Sequence, residues 1–350
     1  MLQSLELQNI KSYTDGLFQF TDKVNIVVGP NASGKTNLLE SIHLLCTGSG
    51  FKAEADSHMI NRSAEWARID AVFDGIERIV KIKLEPFSKL FILDDLEKKR
   101  LSTNTTIPIV LFEPNHMLLL AKEPERRRTY IDIVLKQINP GYNQLLTRYK
   151  RVLAQRNRIL KQDNIAREQL FVWDLQLSEL AGKIVDTRVQ YLSDSNKTLS
   201  TKYQSVSGND ESLQMEYDSV IDAGQYANNL AQKLSDSFEL DKLRGHTGAG
   251  PHRDDIKILL DGRDARSNAS RGETRSVVLA LKITELEHVE QYTGKKPLLL
   301  LDDVFSELDG KRRRTLASSL QNYQTFITTT DADVVMEHFT DCNIIPLSQS

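Results

Sequence analysis

Two stretches near opposite ends of the chain carry the residue types that phosphate chemistry requires. Gly29-Pro30-Asn31-Ala32-Ser33-Gly34-Lys35-Thr36 fits the pattern G-x-x-x-x-G-K-[ST]. Its glycines let backbone N–H groups close around phosphate oxygens, and a helix beginning there adds the positive end of its dipole. In such a loop Lys35 reaches the β- and γ-phosphates, and the Thr36 hydroxyl takes a place on Mg²⁺. The expected nucleotide-binding set is Gly29, Asn31, Ala32, Ser33, Gly34, Lys35, Thr36 and Asn37. Leu298-Leu299-Leu300-Leu301-Asp302-Asp303 supplies the other half. An apolar strand ending in a carboxylate holds Mg²⁺ beside a phosphate loop, which makes Asp302 the metal partner. Asp303 would point the other way, towards the water that attacks the γ-phosphate, so Asp303 and Lys35 are the expected catalytic residues. Alone, a strand ending in two aspartates is most often a plain turn. Paired with the loop, it is specific. Asn196-Lys197-Thr198-Leu199 lacks the aspartate of a guanine-reading N-K-x-D, which leaves ATP as the expected nucleotide.

These residues need buried strands to hold them. Val24 to Val28 is almost uninterruptedly apolar, as a strand covered on both faces should be, and it runs straight into the loop. Asn37 to Leu45 follows with helical periodicity. Leu298 to Leu301 reads as a second buried strand and Phe326 to Thr328 as a third. Ahead of them, alternation at Leu5, Leu7, Phe18 and Phe20 predicts a hairpin turning at Asp15-Gly16. Trp66 to Leu93 continues as an antiparallel layer. From Arg126 to about Leu199 the pattern is helical. Tyr142, Leu145, Tyr149, Val152 and Ile159 form one stripe; after a polar break at Gln162 to Asn164, Leu170, Trp173, Leu177, Leu180, Ile184 and Tyr191 form another. That spacing fits two antiparallel helices in a short coiled-coil-like arm, and fits an ordinary helical subdomain equally well. Ile256, Ile258 and Leu260 alternate again, closed by Asp261-Gly262, and a helix is expected from Glu273 to Tyr292. The expected organisation is a nucleotide-binding α/β lobe from 1–114 and 236–350, interrupted by a mostly helical arm at 115–235.

Composition bounds the function. At 350 residues the chain exceeds the usual size of one core, so two compact units are expected. Its 40% hydrophobic and 27% charged residues are ordinary for a globular protein. Cys46 and Cys342 cannot build a disulfide framework, and His246 and His252 lack cysteine partners for a metal site. Met1 to Ile10 alternates instead of forming the apolar block of a signal peptide. The longest apolar runs, such as Leu298 to Leu301, fall far short of the ~20 residues that span a bilayer. A cytoplasmic protein without a membrane segment is expected.

A net charge of −3 gives no general attraction to nucleic acid, so any basic surface must be local. One such stretch exists. Between Arg126 and Lys161 there are ten Lys or Arg against one acid, Asp132. A solvated helix face is the usual fate of such charges, but its acids would be interleaved. Their near absence favours a phosphate backbone as partner. Arg148, Lys150, Arg151 and Arg158 are the expected DNA contacts.

Ser270-Arg271-Gly272-Glu273 opens the last long helix, thirty-two residues before Asp302. Ser at the cap and Glu in the first turn would suit a simple capping motif. The position, one helix and a turn ahead of the acidic strand end, resembles the signature segment of ABC ATPases. That resemblance implies that the Ser270 hydroxyl and the Gly272 N–H meet the γ-phosphate of ATP held by a partner subunit, with Glu273 in the same signature segment acting in trans. Ser306-Glu307-Leu308-Asp309 resembles the D-loop of the same superfamily, with Ser306 and Asp309 as its site residues.

Along most of its length the chain resembles the bacterial RecF family of recombination-mediator ATPases. Asn9-Ile10-Lys11-Ser12-Tyr13 is similar to the family's N-F-R-N-Y, and Gly29 to Glu40 to its G-x-N-G-x-G-K-T-N-L-L-E. Gly50-Phe51-Lys52, Pro124 to Asp132 and Gly250-Pro251-His252-Arg253-Asp254-Asp255 each match a family segment, as does Leu300 to Asp309. Lys11 stands where the family has Arg, Asn115-His116 replaces an acidic pair, and Arg271 and Glu273 flank Gly272 in place of a small or polar residue and Gln. The resemblance implies an ABC-type ATPase head with a P-loop sheet and an antiparallel β layer. It implies an ATP-dependent homodimer that clamps duplex DNA at gaps or stalled forks, helps load RecA with RecO- and RecR-type partners, and lets go on slow, DNA-stimulated hydrolysis. Two other classes of ATPase fit these residues less well. A transporter nucleotide-binding subunit would carry a histidine after the strand at Phe326-Ile327, where this chain has Thr328-Thr329-Thr330. An SMC-like end-processing ATPase would need a nuclease partner.

Overall fold

The structure is a computed structural model describing residues 1–53, 55–121, 123–162 and 165–348. The expected polar break at Gln162 to Asn164 lies, beyond Gln162, outside the described residues. The chain divides into two compact units, Met1–His116 with Glu285–Ser350, and Met117–Thr284.

The strands of the first unit are β1 (Leu2–Ile10), β2 (Tyr13–Gln19), β3 (Val24–Val28), β4 (Trp66–Phe73), β5 (Ile76–Lys83), β6 (Ser88–Leu93), β7 (Leu96–Lys98), β8 (Ile109–Phe112), β12 (Leu298–Asp302), β13 (Thr325–Thr329) and β14 (Cys342–Pro346). Five of them form a sheet in the order β14-β3-β13-β12-β8, parallel at every pairing. Val24, Ile26 and Val27 on β3 and Leu298 to Leu301 on β12 are all buried, as strands covered on both faces require. The register places Asp302 opposite Thr328, and Thr328 opposite Val27. The ends of β3 and β12 therefore emerge at the same edge with β13 between them, where parallel sheets bind ligands.

The other six strands form an antiparallel layer in the order β2-β1-β4-β5-β6-β7. Its alternating residues Leu5, Leu7, Ile69, Val80 and Ile82 share a core with Leu38, Leu39 and Ile42 of the Lys35–Thr47 helix. Each such side chain contributes about 1.5–3 kcal/mol by leaving water. The hairpin turn does not fall at Asp15-Gly16. Both residues lie inside β2, opposite Gln8 and Leu7, and the chain reverses at Lys11-Ser12 with Asn9 and Lys11 at positive φ. Pairing of Ile10 with Tyr13 and burial of Leu7 and Ile10 outweighed the local turn preference of Asp-Gly.

The second unit contains helices Pro124–Ile138, Tyr142–Leu160, Phe171–Ser207 and Tyr226–Asp236 and a sheet of β9 (Leu213–Asp218), β10 (Asp255–Leu260) and β11 (Arg263–Asp264), ordered β11-β10-β9. The boundary expected at 235/236 falls at Thr284, because β10 pairs with β9 from Asp255↔Asp218 to Leu260↔Leu213 and so belongs with the helices. Asp261-Gly262 is the turn after β10, as its residues suggest. The Phe171–Ser207 helix packs on Tyr142–Leu160, on Tyr226–Asp236 and on β9. The buried stripe of Tyr142–Leu160 is Tyr142, Leu146, Tyr149, Val152, Arg156 and Leu160. Leu145 and Ile159, expected on it, are only half-buried.

Candidate nucleotide site and basic surface

The loop from Gly29 to Gly34 owes its shape to two positive-φ residues, Ala32 at 66° and Gly34 at 92°. Gly34 also fits because a Cβ there would come within 2.8 Å of Ser12 Oγ and 2.9 Å of Tyr13 Oη. Tyr13 Oη donates to Gly34 O at 3.1 Å, and burial pushes that hydroxyl's pKa up, so it stays a donor. The Asn37 amide donates to Ser12 Oγ at 2.8 Å. Residues of the hairpin thus brace the loop, a role not visible in the loop motif itself. Lys35 is buried, and its ammonium donates to the carbonyls of Gly29 and Pro30 at 2.7 and 3.0 Å. The buried Ser33 hydroxyl has no hydrogen-bond partner among the described residues. Asn31 and Ala32 are exposed at the loop tip.

Across the sheet edge, Thr36 Oγ1 donates to Asp302 Oδ1 at 2.8 Å. These residues are 266 positions apart, and only the sheet register joins them. Thr328, on the intervening strand, donates to the same Asp302 oxygen at 3.1 Å and accepts the Asp303 N–H at 2.9 Å. Lys52 Nζ pairs with the other oxygen of Asp302 at 2.7 Å. A buried carboxylate therefore already holds one cation, beside a hydroxyl aimed at the same place. A hydroxyl and a single carboxylate suit Mg²⁺, which keeps waters and phosphate oxygens for its remaining positions. Among the described residues no cluster of three His, Cys, Asp or Glu stands ready to hold a metal alone. Asp303 is half-buried in the left-handed region, at φ 58°. Burial raises its carboxyl pKa, Asp302 adds to the rise, and Lys35 and Lys52 oppose it. The residues and their placement fit ATP with Mg²⁺.

Sequence reasoning gave no role to Lys52, Thr328 or Glu40. Glu40 is fully buried, accepts the N–H groups of Lys52 and Ala53 at 3.0 and 2.7 Å, and pairs with Lys11. It so anchors the segment that presents Lys52. A lone acid within the apolar run of the Lys35–Thr47 helix was the available signal for Glu40; nothing in sequence ties Thr328 or Lys52 to Asp302.

Ser270 lies exposed just ahead of the Arg271–Thr293 helix. Its N–H donates to Glu273 Oε2 at 2.6 Å and its Oγ accepts the Glu273 N–H at 3.3 Å, a reciprocal capping box. The helix start is therefore capped, and the exposed Ser270 hydroxyl keeps capacity for a further partner. Gly272 sits in the first turn. Ser306 Oγ donates to Asp303 O at 2.8 Å, and Asp309 caps the Gly310–Leu320 helix through the Arg312 N–H at 3.0 Å; both side chains are otherwise exposed.

The basic stretch splits in two. Arg156 is fully buried, bonded to Asp174 at 2.6 Å and to Asp241 and Thr247 at 2.8 Å, and Arg127 forms a bidentate pair with Asp255 at 2.8 and 2.9 Å. These two are structural. Arg148, Lys150, Arg151 and Arg158 are all exposed on the Tyr142–Leu160 helix and pair with no other described residue.

A model of the RecF/RecN/SMC N-terminal domain matches residues 1–345. The DNA replication and repair protein RecF of Halothermothrix orenii is 33% identical over 345 residues, which span 94% of this chain and 92% of that protein. The solved recombination mediator protein RecF-ATPrS of the RecFOR pathway superposes with a TM-score of 0.87 at 30% identity, over 96% of this chain and 94% of that one. RecF-ATP gives 0.85 at 30% identity, over 94% and 92%. Among the described residues no helix is long and apolar enough to cross a membrane. The phosphate loop joined to Asp302 across a parallel sheet, the antiparallel layer, the inserted helical unit and likeness over almost the whole chain have one common explanation: this chain belongs to the RecF family, with the ABC-type ATPase head of the RecF/RecN/SMC group.

Proposed function

We propose that the chain is an ATP-hydrolysing switch that dimerises on ATP, clamps DNA in recombinational repair and replication-fork maintenance, and releases it on hydrolysis. The observation that carries this reading is the 2.8 Å bond between Thr36 and Asp302, which assembles a metal-ready phosphate site from both chain ends. Bound Mg²⁺ would neutralise phosphate charge there. Lys35 would bind the β- and γ-phosphates, Thr36 and Asp302 would hold the metal, and Asp303 would take the proton of the attacking water. Ser270 would complete the site of a second copy, with Ser306 and Asp309 at the same interface. RecA loading with RecO- and RecR-type partners is the part of this reading that only the family resemblance supports. The deciding experiment is DNA binding and dimerisation measured with ATP, with ADP and without nucleotide: ATP alone should drive both.

Two variants probe the parts. Ser270→Arg should bind ATP as a monomer and fail to dimerise, because a bulky cation fills the place of the small hydroxyl. An intact ATP-dependent dimer in equilibrium sedimentation would remove Ser270 from the interface. Replacing Arg148, Lys150, Arg151 and Arg158 together by Gln should weaken binding to every DNA sequence and spare ATP binding. Each lost phosphate contact lowers the slope of log affinity against log salt by about 0.9. Since all four are exposed and pair with no other described residue, thermal stability should hold; an unchanged salt slope would move the DNA surface off this helix.

A further inference from the structure

Nearly every group of the Gly250-Pro251-His252-Arg253-Asp254-Asp255 turn is pinned, although none of it takes part in the nucleotide chemistry above. Gly250 has φ 129°, and a Cβ there would meet Tyr149 Oη at 2.8 Å. Pro251 O accepts from the buried Arg188 at 2.8 Å. The His252 ring is held on both sides, by Tyr149 Oη at 2.7 Å and Thr247 O at 3.3 Å, and its burial lowers the ring's pKa to about 4, which keeps it neutral. The Asp254 carboxylate accepts three hydroxyls, from Tyr217, Ser219 and Tyr226, at 2.7, 2.8 and 2.5 Å. Its backbone carbonyl accepts from Arg128 at 2.6 Å. Asp255 holds Arg127 in the bidentate pair and takes Arg266 at 3.3 Å.

The exception is Arg253. Its N–H closes the turn on Gly250 O at 2.8 Å, but its side chain is exposed and pairs with no other described residue. An exposed guanidinium ordinarily loses much side-chain freedom when it binds. Here the backbone beneath it is tied down by the hydrogen bonds of its neighbours, and a guanidinium is suited to two phosphate oxygens at once. The turn is bonded to the Tyr142–Leu160 helix at Tyr149, whose sequence neighbours are the exposed Arg148 and Lys150.

We propose that Arg253 is a phosphate-contact residue, the rigid anchor of a nucleic-acid-backbone surface that continues onto Arg148 and Lys150. The proposal rests on the reading that the chain binds DNA, and it assigns the Gly250–Asp255 network the task of presenting this one arginine. The test uses the full chain and a labelled duplex of mixed sequence, titrated across a series of salt concentrations. Arg253→Gln should weaken binding by about fivefold and lower the salt slope by about 0.9, as one lost phosphate contact does. Arg253→Lys should recover part of the affinity but not all, and the thermal midpoint of both variants should equal that of the wild type. Wild-type binding with an unchanged Arg253→Gln variant overturns the anchor and leaves the DNA reading standing. Unchanged duplex binding with loss of ATP-driven dimerisation gives the arginine to a nucleotide's phosphates and overturns it equally. A lowered thermal midpoint would make Arg253 structural. A wild type that binds no duplex under any nucleotide condition sinks the DNA reading itself.

Discussion

Lys35→Ala should fold and lose ATP binding by a hundredfold or more. The Lys35 ammonium is buried and, among the described residues, hydrogen-bonds to two carbonyls of its own loop, Gly29 O and Pro30 O, which hold it at the loop. Charge-assisted hydrogen bonds are worth about 1.5–3 kcal/mol each. Losing two of them, to the β- and γ-phosphates, costs roughly two to four orders of magnitude in affinity. Truncation also leaves Gly29 O and Pro30 O short of a donor, so some intrinsic stability goes too. The two losses separate cleanly in a thermal-shift titration. Ligand binding to the native state raises the midpoint in proportion to the logarithm of ligand concentration above Kd. The wild type should climb with ATP, while Lys35→Ala should start slightly lower and stay flat. A variant that climbed normally would remove Lys35 from the nucleotide site.

Asp303→Asn should bind ATP as well as the wild type and slow hydrolysis by about 10²–10⁴, the usual contribution of a positioned proton acceptor. The backbone makes this substitution unusually clean. Asp303 occupies the left-handed region at φ 58°, which asparagine tolerates as readily as aspartate, and its N–H bond to Thr328 does not depend on the side chain. Burial of the carboxyl already disfavours its charge, so the neutral amide should not lower the thermal midpoint. With hydrolysis stopped and binding intact, the ATP-bound dimer should accumulate, visible as a persistent dimer in sedimentation after ATP addition. Turnover equal to the wild type would place the base elsewhere. Glu307, exposed at the end of the Val304–Glu307 turn of helix, is then the carboxylate to take that role.

The parts of the site written in contiguous residues were legible without coordinates. A phosphate loop is a local object: Gly29 to Thr36 needs only a strand before it and a helix after it, and both announce themselves in Val24 to Val28 and Asn37 to Leu45. Asp302 was readable for the same reason, as the polar end of an apolar run too short for anything but a buried strand. The density of basic charge between Arg126 and Lys161 was readable in the same way, although not which of its members stay exposed.

Everything that depends on which distant residue arrives next was left to the tertiary structure. Arg156 and Arg158 sit two residues apart in the same basic run. One is fully buried because Asp174 and Asp241 close on it, and the other is exposed. The difference is made by partners 18 and 85 positions away, so no window around the arginines contains it. The hairpin reversed at Lys11-Ser12, where cross-strand burial of Leu7 and Ile10 set the register, although Asp15-Gly16 offered better turn chemistry. Lys52 and Thr328 met Asp302 only because β13 lies between β3 and β12 and Glu40 pins the segment carrying Lys52. Backbone shape and apolar period are properties of neighbours along the chain. Desolvation and pairing of a charge are properties of neighbours in space, set when both chain ends enter one sheet.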